Sequence, residues 1–167
     1  MPLLLLKVNR LSAVFWDVDG TLADTEMDGH RPAFNMAFKE LDLPFVWDEA
    51  LYNRLLAIPG GLRRLKLHAE TCGVHLSQNQ LDQVRDRKRV HYLERVRQGH
   101  VHVRPGVKRL LQELSRAGVQ QWIVTSSGSP SVMALLEQIQ KQIPSFDGVV
   151  TSDDVASGKP APDGYLL

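Results

Sequence analysis

The sequence predicts an α/β protein whose short parallel sheet is interrupted by a long helical insertion. Three observations predict it. Apolar runs rich in β-formers occupy residues 13–16, 121–125 and 146–151, each of strand length. Helical patterns separate these runs. Between residues 25 and 99 the pattern is helical throughout, with no parallel-strand signal.

Taken in order, Ala13, Val14, Phe15 and Trp16 read as a strand buried on both faces of a parallel sheet. Asp17 then stands at its carboxyl end, where ligands bind in open α/β sheets. Ala33, Phe34, Ala37, Phe38 and Leu41 recur at helical spacing, and residues 42–44 end that helix. Asp48 caps a second helix running to Leu55, stopped by Pro59, Gly60 and Gly61. Residues 63–72 make a third, ending near Gly73. Ser77 and Gln80 have the form of a capping box for a fourth, strongly charged helix over about 81–98, with Gly99 as its stop.

Arg104, Pro105 and Gly106 return the chain to the sheet. A helix over about 107–117 carries Leu110, Leu111 and Leu114 on one face, and the second strand follows. Ser129 and Pro130 supply an N-cap and a first-turn proline for a helix to about residue 142. After the third strand the chain passes through residues 158–163 and reaches Leu167 as another helix begins.

Composition narrows the function classes. The 167 residues suit one medium domain, or a compact domain carrying an insertion. With 20 basic and 19 acidic residues the net charge is +1, so no global field favours nucleic acid or a membrane surface. Cys72 is the one cysteine, which excludes an internal disulfide and fits a reducing compartment; it reads as a small core residue. The apolar residues 3–6 lack a preceding basic segment and are followed by Lys7 and Arg10, short of a signal peptide or membrane span. A cytoplasmic protein is expected.

The chemistry concentrates in Asp17-Val18-Asp19-Gly20-Thr21-Leu22, where two carboxylates end an apolar run and a Gly-Thr pair follows at once. Alternate strand positions face opposite ways, so the backbone must leave the strand for both acids to converge, and Gly20 permits that turn. Together with Asp24, Thr25 and Glu26 this stretch resembles the first motif of the haloacid dehalogenase superfamily, most of whose members transfer phosphoryl groups. Residues 26–35, Glu-Met-Asp-Gly-His-Arg-Pro-Ala-Phe-Asn, narrow the resemblance to the CbbY-like sugar-phosphate phosphatases near the β-phosphoglucomutases.

The resemblance implies a Rossmann-like core formed by residues 1–24 and 100–167 and a four-helix cap formed by residues 25–99. It implies Asp17 as nucleophile, Asp19 as general acid and base, and Mg2+ held by the Asp17 carboxylate and the Asp19 main-chain carbonyl. Thr125 matches the hydroxyl residue of the second motif, with Ser126 beside it as the other candidate. Lys159, in Gly158-Lys159-Pro160-Ala161-Pro162-Asp163, matches the third-motif lysine. Gly20, Thr125, Ser126 and Lys159 form the expected phosphate site. His30, Arg64 and Lys66 are cap candidates for a second phosphate or sugar hydroxyls; the other reading is a solvated helix face for Arg64 and Lys66 and a capping or packing role for His30.

By the same resemblance only the first three strands of the core have counterparts, and the acid that completes the ion's shell has none. Three functions are therefore carried forward: a phosphatase of a small sugar phosphate, a mutase in which a sugar hydroxyl replaces water, and an incompetent fragment or a domain completed by a partner chain. Other chemistries are set aside. His68, Cys72 and His75 fall around a helix end without a fourth ligand. Residues 128–131 fail the nucleophile-elbow pattern. Arg85, Arg87, Lys88 and Arg89 alternate with Asp82, Asp86 and Glu94, which reads as a solvated helix face rather than a nucleic-acid site.

Overall fold

The computed structural model describes residues 11–167; the expectation placed on residues 3–6 lies outside them. Three parallel strands, β1 (Ala13–Trp16), β2 (Gln120–Val124) and β3 (Gly148–Val150), form a sheet in the order β1-β2-β3. Phe15 pairs with Trp122, and Trp122 with Gly148. The helices are α1 (Arg31–Glu40), α2 (Glu49–Leu55), α3 (Gly61–Thr71), α4 (Gln78–Arg97), α5 (Val107–Arg116), α6 (Ser129–Ile139) and the short α7 (Asp163–Leu166). The α/β class and the four helices between β1 and α5 agree with the sequence reading.

Two apolar cores form, and α1 and α4 contribute to both. One face of the sheet packs Trp16 and Ile123 against Leu111 of α5 and Val132, Leu135 and Ile139 of α6. The second core lies among α1–α4, where Trp47 meets Phe34 at 4.8 Å and Phe38 at 4.9 Å between ring centroids. Asn35 fastens the chain beside that cluster: its amide accepts from Trp47 N at 2.8 Å and donates to Trp47 O at 2.9 Å. Trp47 is fully buried, so this two-point contact satisfies backbone groups that water cannot reach.

Several elements differ from expectation for identifiable reasons. Phe15 is 49% exposed, so β1 is not buried on both faces. Over its outer face lies Tyr165 of α7, edge-on to Phe15 at 5.6 Å, and a four-residue helix covers little. Asp48 and Ser77 do cap α2 and α4, the latter with a complete capping box, so α4 starts at Gln78 rather than near residue 81. Ser129 is not a cap: Gly128 takes that position, and the Asp153 carboxylate accepts from Ser129 N at 2.8 Å. Cys72 is exposed at the end of α3, not a core residue.

The first helix also has an unexpected beginning. Residues Thr25–His30 form a π-helical turn that runs directly into α1. Asp24 caps this turn from its side chain, and Gly29 lies where a Cβ would stand 2.8 Å from the Tyr92 ring. The wider turn fits one more residue into the same rise than an α-helix would, a feature often found at functional sites.

Candidate active site

The site assembles at the carboxyl end of β1. Immediately after the strand the chain folds into a tight loop in which the amides of Thr21, Leu22 and Ala23 all donate to Val18 O, and Gly20 N donates to Ala23 O at 2.9 Å. Gly20 holds φ at +72°, a conformation that a side chain disfavours. The loop ends strand alternation directly after Asp17, so Asp19 is placed by the turn and not by the pleat.

Lys159, 142 residues from Asp17, donates to Asp17 Oδ1 at 2.7 Å and to Val124 O at 3.1 Å. The ammonium is thus tied to the end of β2 and laid against the first carboxylate. Among the described residues no hydrogen bond reaches Asp17 Oδ2, which leaves that oxygen for an incoming group. Thr125, buried at the end of β2, accepts from Ser127 N at 3.1 Å through its hydroxyl, and Ser126 is exposed.

Asp19 receives a hydrogen bond from Ser127 Oγ on its Oδ2. His30 Nε2 lies 3.5 Å from Oδ1. Burial pushes the Asp19 carboxyl up, but His30, Ser127 and Thr25 outweigh it and hold the group below the ordinary carboxylate range. Behind His30, Lys88 Nζ lies 3.0 Å from Nδ1, and the Tyr92 ring stacks on the imidazole at 4.3 Å. Burial, then the Lys88 charge, lowers the His30 pKa, so the imidazole is neutral at pH 7. Burial also lowers Lys88, to about 8.

The remaining cap candidates separate. Arg64 is buried, donating from Nε to Leu55 O at 3.0 Å and from Nη1 to the Tyr52 hydroxyl at 3.0 Å. Burial, then the Glu26 charge, pushes the Tyr52 phenol up, so it remains protonated and donates to Glu26 Oε2 at 2.6 Å. Arg64 is thereby committed to holding α2, α3 and Glu26 together. Lys66 is exposed on α3. Of the three cap candidates, His30 alone is in contact with Asp19.

Four participants went unread in the sequence: Ser127, Lys88, Tyr92 and Glu26. Lys88 corrects the reading of its charge run as a wholly solvated face, since its ammonium sits over the Phe34 and Tyr92 rings at 5.2 and 5.3 Å. A signal was present: Leu81, Val84, Tyr92 and Val96 mark the buried stripe of α4, and Lys88 falls on it at helical spacing. Ser127 carried no comparable signal, because three successive hydroxyl residues leave the register of a turn open.

Among the described residues no three His, Cys, Asp or Glu side chains gather as a metal cage, and no helix is long and apolar enough to cross a membrane. The oxygens of Asp17 and of the Asp19 main chain are hard donors of the kind Mg2+ takes.

Comparison with known proteins identifies the family. The family model of haloacid dehalogenase-like hydrolases matches residues 11–167. Protein CbbY of Cupriavidus necator is 38% identical over 167 residues, covering 93% of this chain; the chain spans 64% of that relative's length. Two crystal structures of CbbY from Rhodobacter sphaeroides, one with phosphate and one of a variant with xylulose-(1,5)bisphosphate, are each 31% identical with a TM-score of 0.72. Each covers 94% of this chain and is itself covered over 70% of its length. A family match across the whole described chain, joined to a lysine laid on the aspartate that ends the first strand, places this protein among the haloacid dehalogenase-like hydrolases.

Proposed function

We propose that this chain carries the reaction centre of a Mg2+-dependent phosphatase acting on a small phosphorylated sugar. The observation that carries the reading is the 2.7 Å contact of Lys159 with Asp17 at the carboxyl ends of β1 and β2, two residues along the chain from a second carboxylate, Asp19, that its neighbours hold ionised. The likeness to CbbY, crystallised with a sugar bisphosphate, supports the substrate class.

In the first half-reaction Asp17 Oδ2 attacks phosphorus in line, the bond from phosphorus to the sugar oxygen breaks, and Asp19, ionised in the free protein, delivers to that oxygen a proton taken up from solvent as the phosphorylated substrate enters. In the second, water attacks the aspartyl phosphate, Asp19 takes the water proton, and Asp17 is regenerated with release of phosphate. Lys159 offsets charge on Asp17 and the transferring group, and Thr125 offers its hydroxyl at the strand end. The Asp17 carboxylate and the Asp19 main-chain carbonyl would hold Mg2+, with water completing the shell. The ion would neutralise charge on the phosphoryl oxygens.

Residues 25–99 act in this reading as a cap over the site, and His30 is its contribution to the acid. Arg64 supports the cap from within, and Lys66 is released from the substrate role. A mutase would share every residue named here and differ only in the acceptor of the phosphoryl group.

The test is phosphate release by the purified chain from a panel of sugar mono- and bisphosphates with Mg2+, alongside isomer interconversion primed by a sugar bisphosphate. Phosphate release without interconversion, lost in Asp17→Asn, is expected. Interconversion without net release would transfer the assignment to a mutase, and no turnover of any phosphate ester would overturn the reading.

A further inference from the structure

The two passages that join the sheet core to the helical insertion run side by side. Asp24 N donates to His102 O at 3.0 Å, Ala23 bridges Val103 in antiparallel sense, and Arg104 N donates to Leu22 O at 3.0 Å. The outgoing passage is therefore sewn to the returning one. Arg104 then makes a further contact: its Nη1 donates to Gly20 O at 2.7 Å, 84 residues away in sequence.

The position of that carbonyl gives the contact its meaning. Gly20 is the residue after Asp19 and holds the positive φ that turns the loop. The amide before it is bonded to Ala23 O, and the amide after it, Thr21 N, to Val18 O at 3.2 Å. With the Gly20 carbonyl taken by a guanidinium, both peptide groups flanking Gly20 are fixed. A charged donor on a carbonyl is stronger than a neutral one, and the short distance agrees. The backbone amide and the side chain of Arg104 thus grip the same loop at Leu22 and Gly20, so a displacement of the returning passage is carried to the residue beside Asp19.

We propose that Arg104 is a positioning residue for the acid/base group: it clamps the Gly20 carbonyl, aims Asp19, and ties the placement of the helical insertion to proton transfer. This inference rests on the phosphatase reading, and its test separates the two. An aryl ester such as p-nitrophenyl phosphate departs without protonation, whereas an alkyl sugar phosphate needs its leaving oxygen protonated. The value of kcat/KM reports steps up to departure of the leaving group, so only the alkyl substrate registers the acid at that stage.

Arg104→Met is expected to lower kcat/KM for the best sugar phosphate of the panel by about tenfold, the scale of one charge-assisted hydrogen bond, and to leave that for p-nitrophenyl phosphate within about twofold. Guanidinium ion added to Arg104→Ala is expected to restore part of the loss. Equal loss on both substrates, or no loss on either, overturns the proposal. If the wild-type chain hydrolyses neither ester, the phosphatase reading fails, and amide hydrogen exchange judges the clamp by itself: Thr21 must exchange faster in Arg104→Met than in the wild type, and unchanged exchange overturns it.

Discussion

Lys88 Nζ lies 3.0 Å from His30 Nδ1, on the opposite side of the imidazole from Asp19. An ammonium can only donate, so Nδ1 accepts and the single proton of the neutral ring stands on Nε2, facing the Asp19 carboxylate. Lys88 thus selects the tautomer that supports the acid/base group. It does so at a cost in solvation that makes it a measurable element of stability.

Burial lowers Lys88 from 10.5 to about 8. Between those values the unfolded chain binds more protons than the folded one, so stability rises with pH across the window. The contribution is fully present above the unfolded value near 10.5 and is lost as pH falls through about 8. Its size is up to about 3 kcal/mol for a shift of this magnitude. Lys88→Met is expected to remove this rise, measured by urea denaturation at pH 7 and pH 10, and to slow turnover by releasing the His30 tautomer. A variant with the wild-type pH slope would show that the ammonium is solvated.

Asp17→Asn is expected to lower turnover by about 10³-fold or more while the fold persists, because the amide cannot form the acyl phosphate. Lys159→Ala should be milder, about 10²-fold, and should weaken phosphate binding as well. Phosphate release assays with calorimetric titration of inorganic phosphate read both. Normal turnover in Asp17→Asn would remove Asp17 from the nucleophile role.

Ser127 donates to Asp19 Oδ2, and that bond favours the ionised carboxylate. Ser127→Ala should therefore raise the Asp19 pKa, which a carboxyl-resolved NMR titration reads directly. Stability follows the same sign. The depressed Asp19 pKa stabilises the fold above the unfolded carboxylate value, and the contribution is lost as pH falls through the folded one. The variant should thus lose stability at neutral pH and show a weaker acid dependence. An Asp19 titration that stays in place would detach Ser127 from Asp19.

Asp17 and Asp19 were legible because local sequence dictates geometry there, the end of an apolar run and a glycine turn, and Lys159 was legible through the resemblance of residues 158–163 to a family motif. Arg64 and Lys88 were not, because a charge is read as solvated unless its partners are known. Those partners, Tyr52 and Glu26 for Arg64 and His30 for Lys88, lie on other elements. The four helices were legible from caps and periodicity. The π-turn was not, since a one-residue widening is set by tertiary packing around Gly29 rather than by propensity.

That packing supports a last prediction. A Cβ on Gly29 would stand 2.8 Å from Tyr92 Cε2 and 3.2 Å from Val101 Cγ2. Both neighbours are buried, so the ring cannot swing into solvent to make room. Tyr92 is also the face on which His30 stacks, and a ring displaced by Gly29→Ala takes the imidazole away from Asp19. Gly29→Ala is expected to cost about 1–3 kcal/mol, the usual penalty of overpacking a filled core, and to reduce turnover beyond what the melting temperature explains. Gly29→Ala with Tyr92→Leu frees the space without restoring the stack. Stability should then recover in part while turnover stays low, and joint recovery of both would show that Tyr92 only fills volume.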